Sequence, residues 1–294
     1  MLAAEPKAVT GIWWWRGKTF RRGAQRVIAT ALILIGAGIF LVPLFWMVRT
    51  SLMPGGEVFL QPIRWIPSRL LWENYPKALK VIPYLTFLRN SILITSLSIV
   101  GAIFSSCLVA YAFARLNGPG KRVWFTLLLI TMMLPDAVRL VPTYLLFRVF
   151  GWLDTYKPLI VPHFFGSAFY IFMLRQFYMT LPRELDDAAK IDGCSFFGIF
   201  WRLILPLSKP AVATVAIFSF YSSWNDFMEP MIYLNTMEKY TLPLGLTFFV
   251  NVRGRTEWNL LMAASVLPII PCVVLFFLSQ RFFVQGVSLT GLKG

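Results

Sequence analysis

A charged pair inside an otherwise apolar stretch is the first place where this sequence could do chemistry. Asp136 and Arg139 stand three residues apart, so on a helix they share a face and can pair. Pro135 and Pro142 flank them and are expected to break or kink the helix there. One reading is a self-satisfied structural ion pair. The other is a cavity wall on which the Arg139 guanidinium could hold a carboxylate bidentately, which would suit an acidic saccharide. Trp224, Asn225 and Asp226 place an aromatic ring beside an amide and a carboxylate. A ring that stacks on C–H faces and groups that meet hydroxyls suit a sugar. The alternative is a structural cluster where a helix reaches the membrane surface.

Other chemistry finds little support. His163 is the single histidine, and Cys107, Cys194 and Cys272 fall in three separate segments, so no zinc set, CxxC or disulfide framework is expected. No G-x-S-x-G, H-E-x-x-H or GxxxxGK[ST] occurs, which argues against a hydrolase and against ATP hydrolysis by this chain alone. His163 reads as a packed or interfacial residue.

The elements that must position these groups belong in lipid. Apolar residues make up 57% of the 294 residues and charged residues 14%, against roughly 25% charged in soluble proteins. Such a chain cannot hide its apolar surface from water. The formal charge of +15 comes from basic residues lying between apolar runs. They read as membrane-flanking charge rather than a nucleic-acid surface.

A span needs about 20 apolar residues. Six candidates follow: Val27 to Val48, Asn90 to Phe113, Val123 to Phe147, Pro158 to Leu174, Pro210 to Leu234 and Trp258 to Gln280. The first is too long for a signal-peptide core and lacks an A-x-A site, so it reads as retained. Arg16, Lys18, Arg21, Arg22 and Arg26 precede it and place the N-terminus in the cytoplasm. Six spans then return the C-terminus to the same side and leave a cytoplasmic loop from about Arg175 to Lys209.

That loop carries helix signals. Pro182 suits a first turn, Glu184, Asp186 and Asp187 suit the positive end of a helix, and Gly193 suits its left-handed end. Ser195 can cap a second helix, expected to run to about Leu205 before Pro206 turns the chain. Ala188 and Ala189 leave one face bare. Ile191, Phe196, Phe197 and Phe200 supply apolar knobs. The alternative is an amphipathic linker lying on the membrane.

The loop resembles the EAA loop of the permease subunits of binding-protein-dependent ABC importers, written E-A-A-x3-G-x9-I-x-L-P. Here Asp187-Ala188-Ala189 is followed by three residues, Gly193, nine residues, Leu203, one residue and Leu205-Pro206. The spacing matches, with Asp187 for Glu and Leu203 for Ile. WENYPKAL, AYAFARL (Ala110 to Leu116), FGWLDTY, WNDFMEPMIYL, YTLPLGL and the tail QRFFVQGVSLTGLKG resemble the maltose-type carbohydrate subclass and its G-type subunit.

The resemblance implies an all-α polytopic bundle of six transmembrane helices with a cytoplasmic coupling helix, the type I importer permease fold. The resemblance runs from about Trp72 to Gly294; with the charge pattern, the chain divides into a cytoplasmic, interfacial segment 1–26 that has no counterpart in the family, a permease domain 27–282 with the loop at about 182–206, and a cytoplasmic tail 283–294. The resemblance implies ATPase coupling through Asp187, Ala188, Ala189, Gly193, Leu205 and Pro206; the residue chemistry above adds a candidate substrate path touching Asp136, Arg139, Trp224, Asn225 and Asp226, where Arg139 departs from the uncharged residue usual in the family. The implied partners are a second, unlike permease subunit, two ATPase subunits that bind ATP and Mg, and a periplasmic sugar-binding protein. This chain would bind no cofactor, metal or nucleic acid and would sit in a bacterial inner membrane among lipids. A secondary transporter, which would not need the EAA spacing, and a permease for another solute class are the rival readings.

Overall fold

The computed structural model describes residues 13–251 and 256–288. Every regular element among them is helical. Four segments are long and apolar enough to cross a membrane: Gln25–Ser51, Tyr84–Arg115, Lys157–Thr180 and Trp258–Gln280. Two bent pairs, Lys121–Thr131 with Asp136–Val149 and Phe196–Leu207 with Lys209–Trp224, raise the number to six if each is one span.

In chain order, α1 is Trp13–Ser51, α2 Asn74–Val81, α3 Tyr84–Arg115, α4 Lys121–Thr131 and α5 Asp136–Val149. A short α6, Lys157–Ile160, runs through a 3-10 stretch to Phe165 and is followed by α7, Ala168–Thr180. The loop helices are α8, Glu184–Ile191, and α9, Phe196–Leu207. Then come α10, Lys209–Trp224, α11, Met228–Tyr233, α12, Leu242–Gly245, α13, Phe248–Asn251, α14, Trp258–Val266, and α15, Ile269–Ser288. The segment assigned to residues 1–26 is not set apart by a break, because α1 runs continuously from Trp13 through the first span. Likewise α15 continues past residue 282 to Ser288. The remaining tail lies outside the described residues.

α3 is the central element, packed against α7 and α10. Its buried face is rich in small residues, including Ser91, Ser98, Gly101, Ser105, Ser106 and Ala110. Small side chains let neighbouring backbones approach closely in lipid. The serines also do polar work. The fourth span is broken between Val161 and Ser167, and carbonyls freed inside a bilayer need partners. Ser98 Oγ donates to the Leu159 carbonyl at 3.1 Å and Ser105 Oγ to that of His163 at 2.9 Å. At Gly101 an added Cβ would lie 2.5 Å from the Phe164 ring, so only glycine fits under this break.

The third span departs from a straight helix. α4 and α5 meet at 99°, and Pro135 stands as the cap of α5 in extended conformation. Pro142, by contrast, lies inside α5 without breaking it. Only the first of the two prolines expected to interrupt this span does so.

The first span buries none of its apolar window among the described residues. Its last turns pack on α14, where the Asn74 amide donates to the carbonyls of Ser51 and Met53 at 2.8 and 2.9 Å and accepts from Asn259 at 3.4 Å. At this same end of the bundle, Asp154 ties the turn after α5 to the one after α11. Its carboxylate accepts from the Asn235 and Thr236 amides at 3.0 and 2.9 Å and from Lys239 Nζ at 2.7 Å. Those donors, Lys239 and Thr236 foremost, hold the carboxyl far below the usual carboxylate range.

Candidate functional site

Two places gather the sequence-selected residues, one at each end of the bundle. The first is the loop of α8 and α9. Glu184, Asp186 and Asp187 occupy the first turn of α8 and Lys190 the last, as the helix dipole favours. Pro182 stands one residue before the Arg183 cap, just outside the helix. Gly193 has φ +78°. The Cys194 N–H reaches the Ala189 carbonyl and the Gly193 N–H that of Lys190, both at 2.9 Å, which completes a Schellman ending. Ser195 caps α9 by accepting the Gly198 N–H at 3.1 Å.

α9 runs further than its sequence suggested. It passes through Pro206 and ends at Ser208, where the chain bends 78° into α10. The expected turn at Pro206 is thus moved two residues on. Phe200–Ile204 forms a wide π turn, closed from the Leu205 N–H to the Phe200 carbonyl. That wider turn opens the backbone where the Pro206 ring would otherwise meet the Arg202 carbonyl.

Ile191 is 87% exposed, and Phe196, Phe197 and Trp201 are exposed beside it. Phe200 is not one of these knobs. It is buried, with its ring 5.3 Å from that of Tyr111 on α3. Asp187 and Ala188 face outward, with Asp187 held by Lys190 at 2.9 Å. Ala189 and Leu205 pack partly against the core, and Pro206 is exposed.

The residues that fasten this loop escaped the sequence reading. Asp186, the neighbour of the motif acid, is buried and pairs with Arg115 at 3.3 Å; their side chains are 11% and 3% exposed. Arg115 also donates to the Leu181 carbonyl at 2.8 Å. Tyr111, one turn earlier on α3, donates to the Phe196 carbonyl at 3.0 Å. The signal was present in the segment Ala110 to Leu116, where Tyr111 and Arg115 fall four apart on one face.

The second place is a cavity of about 580 Å³ between α5, the broken fourth span and the α10–α11 junction. Asp136, Arg139 and Asp226 line it, as do Glu229 and His163. Arg139 and Asp136 form a close ion pair within α5, at 54% and 91% exposure. Thr143 and Tyr233 share a hydrogen bond at 3.2 Å, and Asp226 accepts the Glu229 N–H at 3.2 Å.

Two selected residues do not join them. Trp224 is buried, stacked on Phe220 at 5.4 Å, and donates Nε1–H to the Pro268 carbonyl at 3.1 Å. An indole N–H in an apolar surrounding needs such a partner, and the break between α14 and α15 supplies it. Asn225 caps α10 through the Tyr221 carbonyl at 2.9 Å, outside the cavity. His163, expected to be packed or interfacial, is half-buried in the cavity wall.

Residues 100–289 match the family described as the binding-protein-dependent transport system inner membrane component. The chain is 34% identical to the arabinooligosaccharides transport system permease protein AraQ of Halalkalibacterium halodurans, over 91% of this chain and 98% of that protein. The chain belongs to this permease family. It is also 34% identical to the sn-glycerol-3-phosphate transport system permease protein UgpE of Yersinia pestis, over 91% of this chain and 97% of that one. A chain of a bacterial ABC transporter involved in the import of the acidic polysaccharide alginate superposes with TM-score 0.78 over 93% of this chain and all of that one, at 24% identity. A chain of the same kind of importer in complex with a pentasaccharide-bound periplasmic protein gives 0.65 at 12% identity. The all-helical permease architecture is therefore that of solved importer subunits. As an inner-membrane component, the chain is a transport subunit rather than an enzyme.

Proposed function

We propose that this permease forms half of the translocation path for a carbohydrate, with both termini in the cytoplasm and α8–α9 as its contact with ATPase subunits. The observation that carries the reading is the exposed apolar face of Ile191, Phe196, Phe197 and Trp201 on two capped helices at one end of the bundle. Its place beside the Asp187–Pro206 spacing supports a protein groove as its cover. Asp187, Ala188, Ala189, Gly193, Leu205 and Pro206 shape that contact. ATP and Mg would be bound by the two ATPase subunits, a second permease chain would complete the path, and a periplasmic binding protein would deliver the sugar.

The wall this chain contributes sets Asp136, Asp226 and Glu229 against Arg139 and His163. Arg139 is already engaged by Asp136, so its spare donors and the carboxylates suit hydroxyl groups better than a polyanion. AraQ is described as an arabinooligosaccharide permease, which agrees with a neutral oligosaccharide.

Two measurements test this. Affinity purification from membranes, with mass spectrometry of what stays bound, should recover an ATPase and a second permease, and their absence would refute the reading. Uptake of matched neutral and acidic oligosaccharides by an Arg139→Gln complex should fall little for the neutral one. Selective loss of the acidic sugar would restore an anionic substrate.

A further inference from the structure

We propose that Arg115 and Asp186 form the joint through which α8 moves α3, making both positioning residues of the transport cycle. The inference rests on the reading of α8–α9 as the ATPase contact. It goes beyond that reading by naming how movement leaves the loop.

Three observations carry it. First, α8 is held laterally as well as along the chain. It is bounded by the Leu181–Arg183 turn on one side and the left-handed Gly193 on the other. The last turns of α3 grip both flanks of the loop: Arg115 holds Asp186 and the Leu181 carbonyl, and Tyr111 holds the Phe196 carbonyl. Arg175 extends the clamp, donating to the Phe113 carbonyl at 3.3 Å with its guanidinium 4.1 Å from the Phe125 ring.

Second, α3 is a single uninterrupted helix of 32 residues, about 48 Å long. At its other end the Asn90 amide donates to the Glu238 and Tyr240 carbonyls at 2.8 and 3.0 Å, and Ser91 Oγ accepts the Leu242 N–H at 2.8 Å. Between them Ile94 lines the cavity and Ser98 holds the Leu159 carbonyl. A displacement imposed at Asp186 therefore reaches the cavity wall along one rigid body. The covalent route through α10 instead crosses the 78° bend at Ser208.

Third, the pair is a poor stabiliser. Asp186 Oδ1 and Arg115 Nε are buried without a protein partner among the described residues. A buried ion pair seldom outdoes apolar packing in stability, and in some proteins such pairs fix geometry instead.

The test uses the assembled complex with its ATPase and binding-protein partners in lipid nanodiscs. Spin labels at Ala112 and Glu184, in a cysteine-free background, report the α3–α8 distance with and without Mg and a non-hydrolysable ATP analogue. In the otherwise native complex the distance should stay constant as nucleotide binds. In Asp186→Asn it should change, while basal ATP hydrolysis persists and binding-protein stimulation drops by about tenfold. Exchanging the charges, Arg115→Asp with Asp186→Arg, should restore stimulation, and this covers the case in which Asp186→Asn accumulates poorly. A nucleotide-dependent distance in the otherwise native complex would overturn the joint, as would full stimulation in Asp186→Asn. The underlying reading fails separately: a Phe197→Ser complex that keeps its ATPase subunits would remove the docking face without touching the ion pair.

Discussion

The molecule contains two arginine–aspartate pairs of similar chemistry and opposite setting. Arg139 and Asp136 are neighbours on one helix, open to the cavity. Arg115 and Asp186 come from distant segments and are closed off at the other end of the bundle. In the open pair, water or a solute can reach the donors and oxygens that the two partners leave unused. In the closed pair neither can be replaced, so the two elements they join are constrained together. Burial therefore decides whether a pair stays open to exchange or fastens two elements together.

The sharpest way to break this contrast is to remove one member of each pair. Asp186→Ala strands a buried guanidinium, at a cost of about 3–5 kcal/mol, and should lower the melting temperature of the detergent-purified protein or its yield in membranes. Asp136→Ala should leave both unchanged. Equal losses would mean that the two settings are not distinct. Gly193→Val comes next. An added Cβ meets nothing within 4 Å, so the penalty is that of a left-handed backbone, about 1–2 kcal/mol. Uptake should fall while the protein persists on immunoblots, and Gly193→Asn should recover most of it.

Trp224→Phe should cost about 1 kcal/mol through the lost bond to Pro268, visible as a modest fall in melting temperature. The substrate concentration for half-maximal uptake should not move, and a large rise would put the indole back on the sugar path. The smallest effect concerns Asp154. Its folded carboxyl is held below its ordinary value, so the ion pair contributes fully above the usual carboxylate range. The contribution is lost as pH falls below about 4 toward the depressed folded value. Asp154→Asn should lower the melting temperature slightly at neutral pH, leave it nearly unchanged in acid, and so flatten the acid limb of a melting-temperature profile.

Local signals were legible in the sequence and lateral ones were not. Gly193, Ser195 and the acids of α8 act on backbone within a few residues, so their types and spacing announce a helix, a left-handed stop and a cap. Asp136 and Arg139 were visible for the same reason. The Arg115–Asp186 pair needs the packing of α3 against α8, and nothing in either segment names the other. The same holds for Trp224: a binding platform and a structural cluster were both open readings, and only the packing shows the Pro268 carbonyl taking its N–H. Phe200 was indistinguishable from Phe196 and Phe197 because its burial depends on Tyr111 of α3, which nothing in the loop names. Length and hydropathy located the spans, yet the right-angled break after Thr131 and the broken fourth span exceed what apolar runs encode.

The contact between α1 and α14 also sets a timetable for biosynthesis. The first span can rest alone in lipid, since none of its apolar window is buried among the described residues. Its end, however, shares Asn74 with Asn259 on α14. At about 5–20 residues per second, that partner leaves the ribosome on the order of ten to forty seconds later. Throughout that interval the Asn74 amide can hold the chain end at Ser51 and Met53 but has no second asparagine to complete it. A chain stopped before residue 258 therefore lacks the asparagine that closes the end of the first span.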